Sequence, residues 1–429
     1  MRYNAMTKTD IRYETYIQIL NEELIPAMGC TEPIAIAYAA AKARETLQSA
    51  PDRVLVEVSG NVIKNVKSVV VPHTGGLRGI AAAAAAGIAV GDASKELEVL
   101  SFVTDEQIPS ISQFLENIPI EVSHADTPHV FDIMITVYSG DSSAFVRLAE
   151  RHTNIVCIKK NDTVLFEKEI VIENTSTADR GLLDVEHIIE FAESVDPLDI
   201  CRTIDRQIEY NMAISSEGLR NNYGANIGKV LLLDHEHVLS RKMRAYAAAG
   251  SDARMNGCEM PVIINSGSGN QGITTSVPVI VYAREYGLSH EQLIRALCLA
   301  NLVTIHLKTG IGCLSAYCGV VSAACGAAAG VAYLQGGRFD MIAHTIVNAL
   351  AMDSGIICDG AKASCAAKIA SAIDAALLGL NMYKQGNQFY GGDGIIKKGI
   401  ENTIATVSRL ARDGMHHTDK EIIKLMMEN

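Results

Sequence analysis

Three cysteines in the last third of the chain have the residue type and surroundings expected of an iron–sulfur site. Cys318, Cys358 and Cys365 lie in two stretches rich in Gly and Ala, GIGCLSAYCGVVSAACGAAAG and SGIICDGAKASCAAKIA. A [4Fe-4S] cluster is held by thiolates, and a cluster that acts as a Lewis acid leaves one iron open to substrate. Small neighbouring residues would leave room for such a group. The pattern predicts one site to which Cys358 and Cys365 contribute from one turn and Cys318 from another helix.

Simpler interpretations exist for these cysteines. Apolar helices often hold a free cysteine as a small hydrophobic residue, and this is how the neighbouring Cys313 and Cys325 are interpreted. A zinc site is the main inorganic alternative. The closely spaced C-x2-C pair usual in structural zinc sites is absent from the sequence.

A fourth cysteine, Cys30, lies far upstream in the run MGCTEP. Thr31 is a good helix N-cap and Pro33 is tolerated only near a helix start, so a helix is predicted to begin immediately after Cys30. Free N–H groups and the helix dipole at that position favour a thiolate. Cys30 is therefore a candidate base or nucleophile, and the alternative is a buried cysteine in a tight turn.

A Gly-rich loop, SGSGNQG, follows the apolar run PVIIN and precedes a helical pattern. Its backbone amides are predicted to bind an anion at a helix N-terminus, and a substrate carboxylate suits the loop better than a phosphate chain. The loop matches neither a Walker A motif nor a dinucleotide fingerprint. The alternative is a flexible surface loop. The candidate substrate-binding residues are Ser266, Gly267, Ser268, Gly269, Asn270 and Gln271.

A few ionisable groups stand out in otherwise uncharged surroundings. His306 and Lys308 occur in TIHLKTG, and Lys362 occurs in CDGAKAS. Burial would favour the neutral, basic form of a lysine, but each group is better interpreted as structural or substrate-orienting than as the proton-transferring residue. No phosphate-binding motif accompanies these lysines, so pyridoxal phosphate is not predicted.

Composition points to a protein with a large core and a small-molecule partner. The chain has 429 residues, 48% of them hydrophobic, and a formal net charge of −12. The absence of a basic cluster argues against nucleic acid and anionic lipid as partners. The uncharged residues 309–337 are predicted to include a buried core helix rather than a membrane span. The N-terminal residues lack the apolar region of a signal peptide, so the cysteines are expected to be thiols in the cytoplasm.

The sequence predicts a mostly helical α+β protein. Residues 9–47 and the chain beyond residue 184 show helical patterns, whereas residues 54–172 contain short β-branched runs alternating with helix-like segments, including residues 143–150. Residues 160–162 are predicted to form a hairpin turn. The simplest architecture is a helical catalytic domain formed by residues 1–50 and 185–429, with an inserted α+β domain of one sheet formed by residues 51–184.

Several long motifs in order resemble the L-cysteine desulfidase family. They are MGCTEP, SDARMNG, SGSGNQG, both cysteine-bearing stretches, and the tail segments GDGIIKKGIENTI and RLARDGMHHTD. The resemblance covers nearly the whole chain, and the C-terminal half is similar, more distantly, to the α domain of iron–sulfur L-serine dehydratases. It implies a homodimeric [4Fe-4S] lyase that converts L-cysteine to pyruvate, ammonia and sulfide without pyridoxal phosphate.

The resemblance also implies roles for individual residues. Cys318, Cys358 and Cys365 would be the cluster ligands, and Cys30 would accept the substrate proton. Cys313 competes with Cys318, because it also falls close to the dehydratase pattern. The dehydratases space their last two ligands more widely than Cys358 and Cys365, which favours the desulfidases. The choice between cysteine and serine as substrate stays open, as does a cluster-free binding protein of the same fold.

Overall fold

The structure, a computed structural model, describes residues 6–28, 31–170, 177–233, 237–312 and 315–428. Most of these residues are helical. The helices are α1 (Ile11–Glu23), α2 (Thr31–Leu47), α3 (Gly60–Val66), α4 (Gly79–Val90), α5 (Ile108–Asn117), α6 (Val185–Ser194), α7 (Pro197–Arg220), α8 (Ile227–Leu232), α9 (Leu239–Met255), α10 (Gly269–Glu285), α11 (His290–Thr309), α12 (Gly319–Leu334), α13 (Phe339–Asp353), α14 (Cys365–Lys384), α15 (Ile400–Arg409) and α16 (His416–Met427).

The strands form two sheets of different size. They are β1 (Pro26–Met28), β2 (Arg53–Val58), β3 (Ile120–His124), β4 (Asp132–Ser139), β5 (Ser142–Ala149), β6 (Ile155–Lys160), β7 (Thr163–Glu167) and β8 (Pro261–Ile263). The larger sheet has the order β3-β2-β4-β5-β6-β7, and β1 pairs with β8 in the smaller one. Only β2 and β3 pair in parallel within the larger sheet. The predicted class, mostly helical α+β, is confirmed.

Alternating side chains of the larger sheet build one hydrophobic core. In β4, Ile133, Ile135 and Val137 are fully buried, as expected where one face of a strand packs against other elements. Helices α2 and α4 contribute to the same core. Their backbones approach closely, since a Cβ on Gly87 would lie 2.0 Å from the carbonyl oxygen of Ala37.

A second, larger core is formed by the helices that follow residue 184, together with α1. Helix α12 lies inside it, and the small residues of α12 allow close helix contact. A Cβ on Gly326 would lie 2.4 Å from the carbonyl oxygen of Ala300 in α11. The Gly- and Ala-rich composition of α12 is therefore explained by helix packing, not by room left for an inorganic group.

The assignment of helices to the two cores does not follow their order in the sequence. Helix α2 packs with the larger sheet although it precedes residue 50, and Ile423, Met426 and Met427 of α16 also pack against that core. The proposed division into residues 1–50 with 185–429, and residues 51–184, remains a prediction. The packing shows that α2 and α16 connect the helical part of the molecule to the sheet.

Two local expectations differ from the structure. The segment expected to be helix-like at residues 143–150 is strand β5, because every second residue packs into the sheet core opposite β4, and this packing outweighs the helix propensity of Ala, Arg and Leu. Strand β1 was not expected, since its partner β8 lies more than 230 residues away. The predicted hairpin between β6 and β7 and the start of α2 at Thr31 are confirmed.

Within the described residues, helix α14 is long and apolar enough to cross a membrane by length and composition alone, and half of its apolar window is buried in the protein. The core helix of a soluble protein passes the same test. The uncharged run of residues 309–337 contains α12, which has 16 residues and is buried over most of its length.

Candidate active site

A cavity of about 1040 Å³ lies between the two cores. Its wall includes Glu32 of α2 and Lys64 of α3 from the sheet side. From the helical side come the end of α1, the start of α10, the end of α11 and all three predicted ligand cysteines. Residues that are distant in sequence therefore meet at one place.

The three late cysteines are brought together by two helix starts and one backbone bridge. Cys318 immediately precedes α12, and Cys365 is the first residue of α14. Cys358 lies beside Cys318 because their segments pair: Cys318 N donates to Ile356 O at 3.0 Å and Cys358 N donates to Ala316 O at 2.6 Å. The predicted convergence of the three cysteines in one site is thus present in the fold.

The local electrostatics favour a thiolate at Cys358. A hydrogen bond from the Cys318 thiol lowers the pKa of Cys358 against the opposing effect of burial, and the nearby Lys64 and the Gly360 N–H lower it further. The same hydrogen bond, together with burial, raises the pKa of Cys318. Burial also raises the pKa of Cys365, whose Sγ lies 3.4 Å from Gly360 O. The Cys318 thiol and Lys64 therefore favour a negative charge on Cys358 at the cavity wall.

The donor chemistry of this wall suits an iron–sulfur cluster. Cys318 and Cys365 stand at the N-terminal ends of long helices, where the helix dipole and backbone N–H groups oppose the burial that disfavours their thiolates. Within the described residues no group of three His, Cys, Asp or Glu side chains is arranged to hold a single metal ion. A cluster takes its thiolates from around several irons, and three cysteines on one cavity wall supply the thiol type and number for it.

The predicted anion-binding loop faces the same cavity. Ser266 and Gly267 adopt positive φ angles of 48° and 76°, which turns the chain sharply after β8. Ser268 then caps α10 by accepting a hydrogen bond from Gln271 N. The candidates Ser266, Gly267, Ser268, Asn270 and Gln271 line the cavity.

Gly269 differs from the other loop residues because it does not line the cavity. It lies against Arg254, and a Cβ at this position would be 2.3 Å from Arg254 Nε. A larger residue here would displace the Arg254 side chain, which passes directly over Gly269.

Gln271 connects the loop to the cysteines. Its side-chain amide packs against Gly319, where a Cβ would lie 2.6 to 2.8 Å from the amide atoms. Its Oε1 is buried without a hydrogen-bond partner among the residues that the structure describes. This acceptor is available to a donor group bound in the cavity, such as an ammonium group.

A buried amide network holds the loop from behind. Ser266 Oγ donates to Asn265 Oδ1 at 2.8 Å, and Asn265 Nδ2 donates to Asn301 Oδ1 at 3.0 Å. Asn301 and Gln207 exchange two further hydrogen bonds of 2.8 and 3.0 Å. Asn265, Asn301 and Gln207 are fully buried, so each bond is protected from water and fixes the loop to α7 and α11.

The motif SDARMNG places a cation beside the loop. Arg254, near the end of α9, lines the cavity and donates to Asn270 Oδ1 at 3.4 Å. Asp252, two residues earlier, is buried and accepts a hydrogen bond from Gly228 N at the start of α8. Asp252 thus fixes α8 against α9, while Arg254 faces the site.

Burial raises the pKa of Asp252 from 3.8 to about 6, although backbone N–H groups oppose the shift. In the unfolded chain the carboxyl group loses its proton first, so unfolding releases a proton between about pH 4 and pH 6. Stability should therefore fall by about 3 kcal/mol from this group as pH rises through that window. Denaturant unfolding at pH 4 to 7 should show this decline in the wild type and lose it in Asp252→Asn. The exposed turn variant Asp141→Asn serves as control, and an unchanged slope in Asp252→Asn would contradict the prediction.

The three predicted orienting groups occupy different positions. Lys308 lines the cavity and donates to Gly312 O at 3.2 Å. His306 lies outside the cavity wall and hydrogen-bonds Glu401 at 2.7 Å. Lys362 also lies outside the wall, paired with Asp359. Lys308 thus belongs to the cavity wall, whereas His306 and Lys362 tie surrounding segments together. A substrate-orienting role for any of the three stays a prediction.

The sequence interpretation missed several cavity residues. Lys64, Arg254 and Arg180 are cations of the wall, and Glu22 and Glu23 bind Arg180 at 3.2 and 2.6 Å. Arg254 lies in a motif quoted for its family resemblance, which was the available signal. The others lie in segments with no predicted chemical role, and only the tertiary fold brings them to the site.

Two cysteines with predicted or competing roles, Cys30 and Cys313, lie outside the described residues. The residues that follow Cys30 are described: Thr31 begins α2, and its Oγ1 lies 3.0 Å from His152 Nε2. Glu32 lines the cavity and accepts a hydrogen bond from Asn65 at 3.1 Å. The helix that starts directly after Cys30 therefore begins at the cavity.

Comparison with known proteins shows the family of this chain. The family model described as serine dehydratase alpha chain matches residues 94–424. A UPF0597 protein of Desulfitobacterium hafniense is 57% identical over 423 residues, covering 98% of each chain. UPF0597 proteins of Treponema denticola and Lachnoclostridium phytofermentans are 48% and 50% identical, covering 97% of this chain and 99% and 100% of their own.

The resemblance to the dehydratase α domain is confirmed, and the match extends beyond the C-terminal half to include strands β3 to β7. The descriptions of the family and of these relatives do not name L-cysteine as a substrate. Because the family model covers more than half of the chain, the chain belongs to the serine dehydratase alpha chain family.

Proposed function

We propose that this protein, a serine dehydratase-like lyase by family, is an iron–sulfur enzyme that eliminates sulfide from L-cysteine. The products would be pyruvate, ammonia and hydrogen sulfide. One observation carries the proposal: Cys318, Cys358 and Cys365 share a cavity with several cations and with the start of α10, which is predicted to bind an anion. A small amino acid has the carboxylate, ammonium and β-leaving group that such a cavity can bind.

Cys318, Cys358 and Cys365 would hold a [4Fe-4S] cluster, with no requirement for pyridoxal phosphate. When bound, the cluster would supply Lewis-acid polarisation of the substrate's β-substituent. The protein's own contribution is to orient the substrate and to move protons.

Substrate orientation follows from the charges of the wall. The N–H groups at the start of α10 and the guanidinium of Arg254 would bind the carboxylate. The unpartnered Oε1 of Gln271 and the carboxylate of Glu32 would accept hydrogen bonds from the substrate ammonium. The start of α10 and Arg254 lie on the helical side of the cavity and Glu32 lies on its sheet side, so together they would fix both ends of the amino acid.

Proton removal is assigned to Cys30. In this proposal its thiolate, stabilised by the N-terminus of α2, takes the proton from the substrate Cα. The electron pair left on Cα forms a Cα–Cβ double bond as the Cβ–S bond breaks and sulfide leaves. The resulting aminoacrylate tautomerises to an imine, and water hydrolyses the imine to pyruvate and ammonia.

The direct test is anaerobic reconstitution of the purified protein with iron and sulfide. We expect an iron–sulfur absorbance band, and release of sulfide and pyruvate in equal amounts from L-cysteine. Chelation of the iron should abolish the activity, and addition of pyridoxal phosphate should not restore it. Full activity in an iron-free preparation would contradict the proposal.

L-Serine is the second candidate substrate, favoured by the description of the matching family. Both amino acids give pyruvate and differ only in the β-atom that leaves. Comparison of kcat/KM for the two on the same reconstituted preparation distinguishes them. An iron-free protein that binds an amino acid in calorimetry without turnover would instead indicate a binding protein of the same fold.

The proposed setting is the cytoplasm, where iron–sulfur proteins and free thiols are kept reduced. The proposed assembly is a homodimer, as the family resemblance implies. Size-exclusion chromatography with light scattering on the reconstituted protein measures the assembly directly.

A further inference from the structure

Lys64 of α3 is a buried cation on the cavity wall. The residue is 4% exposed, and its Nζ forms an ion pair with Asp419 Oδ1 of α16 at 2.6 Å. The same Nζ lies 3.5 Å from Ser315 O, close to the segment that leads to Cys318. Placing a lysine inside a protein is costly unless its charge is used or paired.

The backbone of Lys64 holds the other cysteine segment. Its carbonyl oxygen accepts a hydrogen bond from Ala361 N at 3.0 Å. Gly360 approaches the same oxygen so closely that a Cβ would lie 1.9 Å away, and its φ of 94° also favours glycine. One residue of α3 therefore contacts the turn between Cys358 and Cys365 through its main chain, pairs with α16 through its side chain, and belongs to the cavity wall.

The two partners of this ion pair differ in their position relative to the cavity. Lys64 belongs to the cavity wall and Asp419 does not, so the pair places its lysine, not its carboxylate residue, at the wall that also includes Cys318 and Cys358. Asp419 is held in position because α16 packs on α3, where a Cβ on Gly60 would collide with Ile423. The neighbouring cations Lys362 and Lys368 share one carboxylate, that of Asp359, and neither belongs to the cavity wall.

We propose that Lys64 provides the fixed positive charge that stabilises the cysteine thiolates around a bound cluster, with Asp419 as the positioning residue. This inference rests on the proposed function of the site. Thiolates, not thiols, bind iron, and a group of buried negative charges needs a nearby cation. Helix α16 thereby contributes to the site through Asp419, although it supplies no residue to the cavity wall.

The test measures iron retention rather than turnover alone. Wild type, Lys64→Met and Lys64→Arg are reconstituted anaerobically, desalted and exposed to a chelator, and iron per chain is followed with time. We expect Lys64→Met to lose iron roughly 10-fold faster or more, the size of effect seen when partners of metal ligands are removed. Lys64→Arg keeps the charge and should retain most of the iron. Asp419→Asn keeps the lysine but loosens it, and should give an intermediate rate.

Two controls separate the role of charge from the stability of the fold. The double variant Lys64→Met with Asp419→Leu removes the buried pair without leaving one charge unpaired, so it should fold and still lose iron quickly. The pair Lys242 and Glu285 has the same 2.6 Å separation on the surface, and Lys242→Met should behave like wild type. Wild-type iron retention in folded Lys64→Met or in the double variant would overturn the role of Lys64 and leave the proposed function standing. A wild-type protein that takes up no iron would instead contradict the proposed function, and the inference with it.

Discussion

Cys358→Ser is expected to lose most of its iron and to fall in activity by a factor on the order of 10² to 10⁴. Lewis-acid activation contributes several kcal/mol to a transition state, and each 1.36 kcal/mol corresponds to about tenfold in rate. Cys358 is the cysteine at which the site most favours a thiolate, because the Cys318 thiol donates to it and Lys64 lies near. A serine hydroxyl at this position is not ionised and is a poor iron ligand.

The measurement combines iron content, absorbance and pyruvate formation on anaerobically reconstituted protein. Cys201→Ser is the matched control, since Cys201 is also partly buried but lies in α7 and does not line the cavity. Cys201→Ser should keep wild-type iron and activity. If Cys358→Ser retained both as well, Cys358 would not be a ligand.

The helical architecture and the convergence of the cysteines were predictable from sequence. Strong local signals marked the helices: the alanine run gave α4, and Thr31 and Pro33 marked the start of α2. Cys358 and Cys365 were close in sequence, so a single turn sufficed to bring them together. Cys318 lies beside Cys358 because of an antiparallel backbone bridge between Tyr317 and Ile357, and no local sequence pattern predicts this bridge.

Where prediction failed, long-range packing outweighed local preference. The residues of β5 have ordinary helix propensity, but the strands on either side supply backbone partners and a buried face. Strand β1 is only three residues long and exists because β8 pairs with it. Local sequence contains no information about either partner.

The charged residues of the site were also not predictable from local sequence. Lys64 and Arg180 lie in segments without a recognisable site motif, yet both line the cavity. Their positions depend on Asp419 and on Glu22 and Glu23, which are contributed by opposite ends of the chain. By contrast, the conspicuous His306 and Lys362 are engaged with nearby carboxylates outside the wall.

The role proposed for Cys30 makes the opposite prediction from that for Cys358: its removal should spare the iron and abolish turnover. A positioned general base contributes about 10² to 10⁴ in rate, so Cys30→Ala should lose activity by that factor. KM for L-cysteine should change little, because the groups assigned to substrate binding belong to α2, α9 and α10 and remain in place. The readouts are iron per chain, kcat and KM on the reconstituted variant.

A second measurement isolates proton removal from the later steps. Exchange of the substrate Cα hydrogen with deuterated water reports the base directly, so Cys30→Ala should lose exchange together with turnover. Cys258→Ala, a buried cysteine that does not line the cavity, is the control and should keep both. Loss of iron in Cys30→Ala would make Cys30 a ligand instead of the base. Since Cys30 directly precedes a helix that begins at the cavity, either role would place it in the site, and the iron content decides between them.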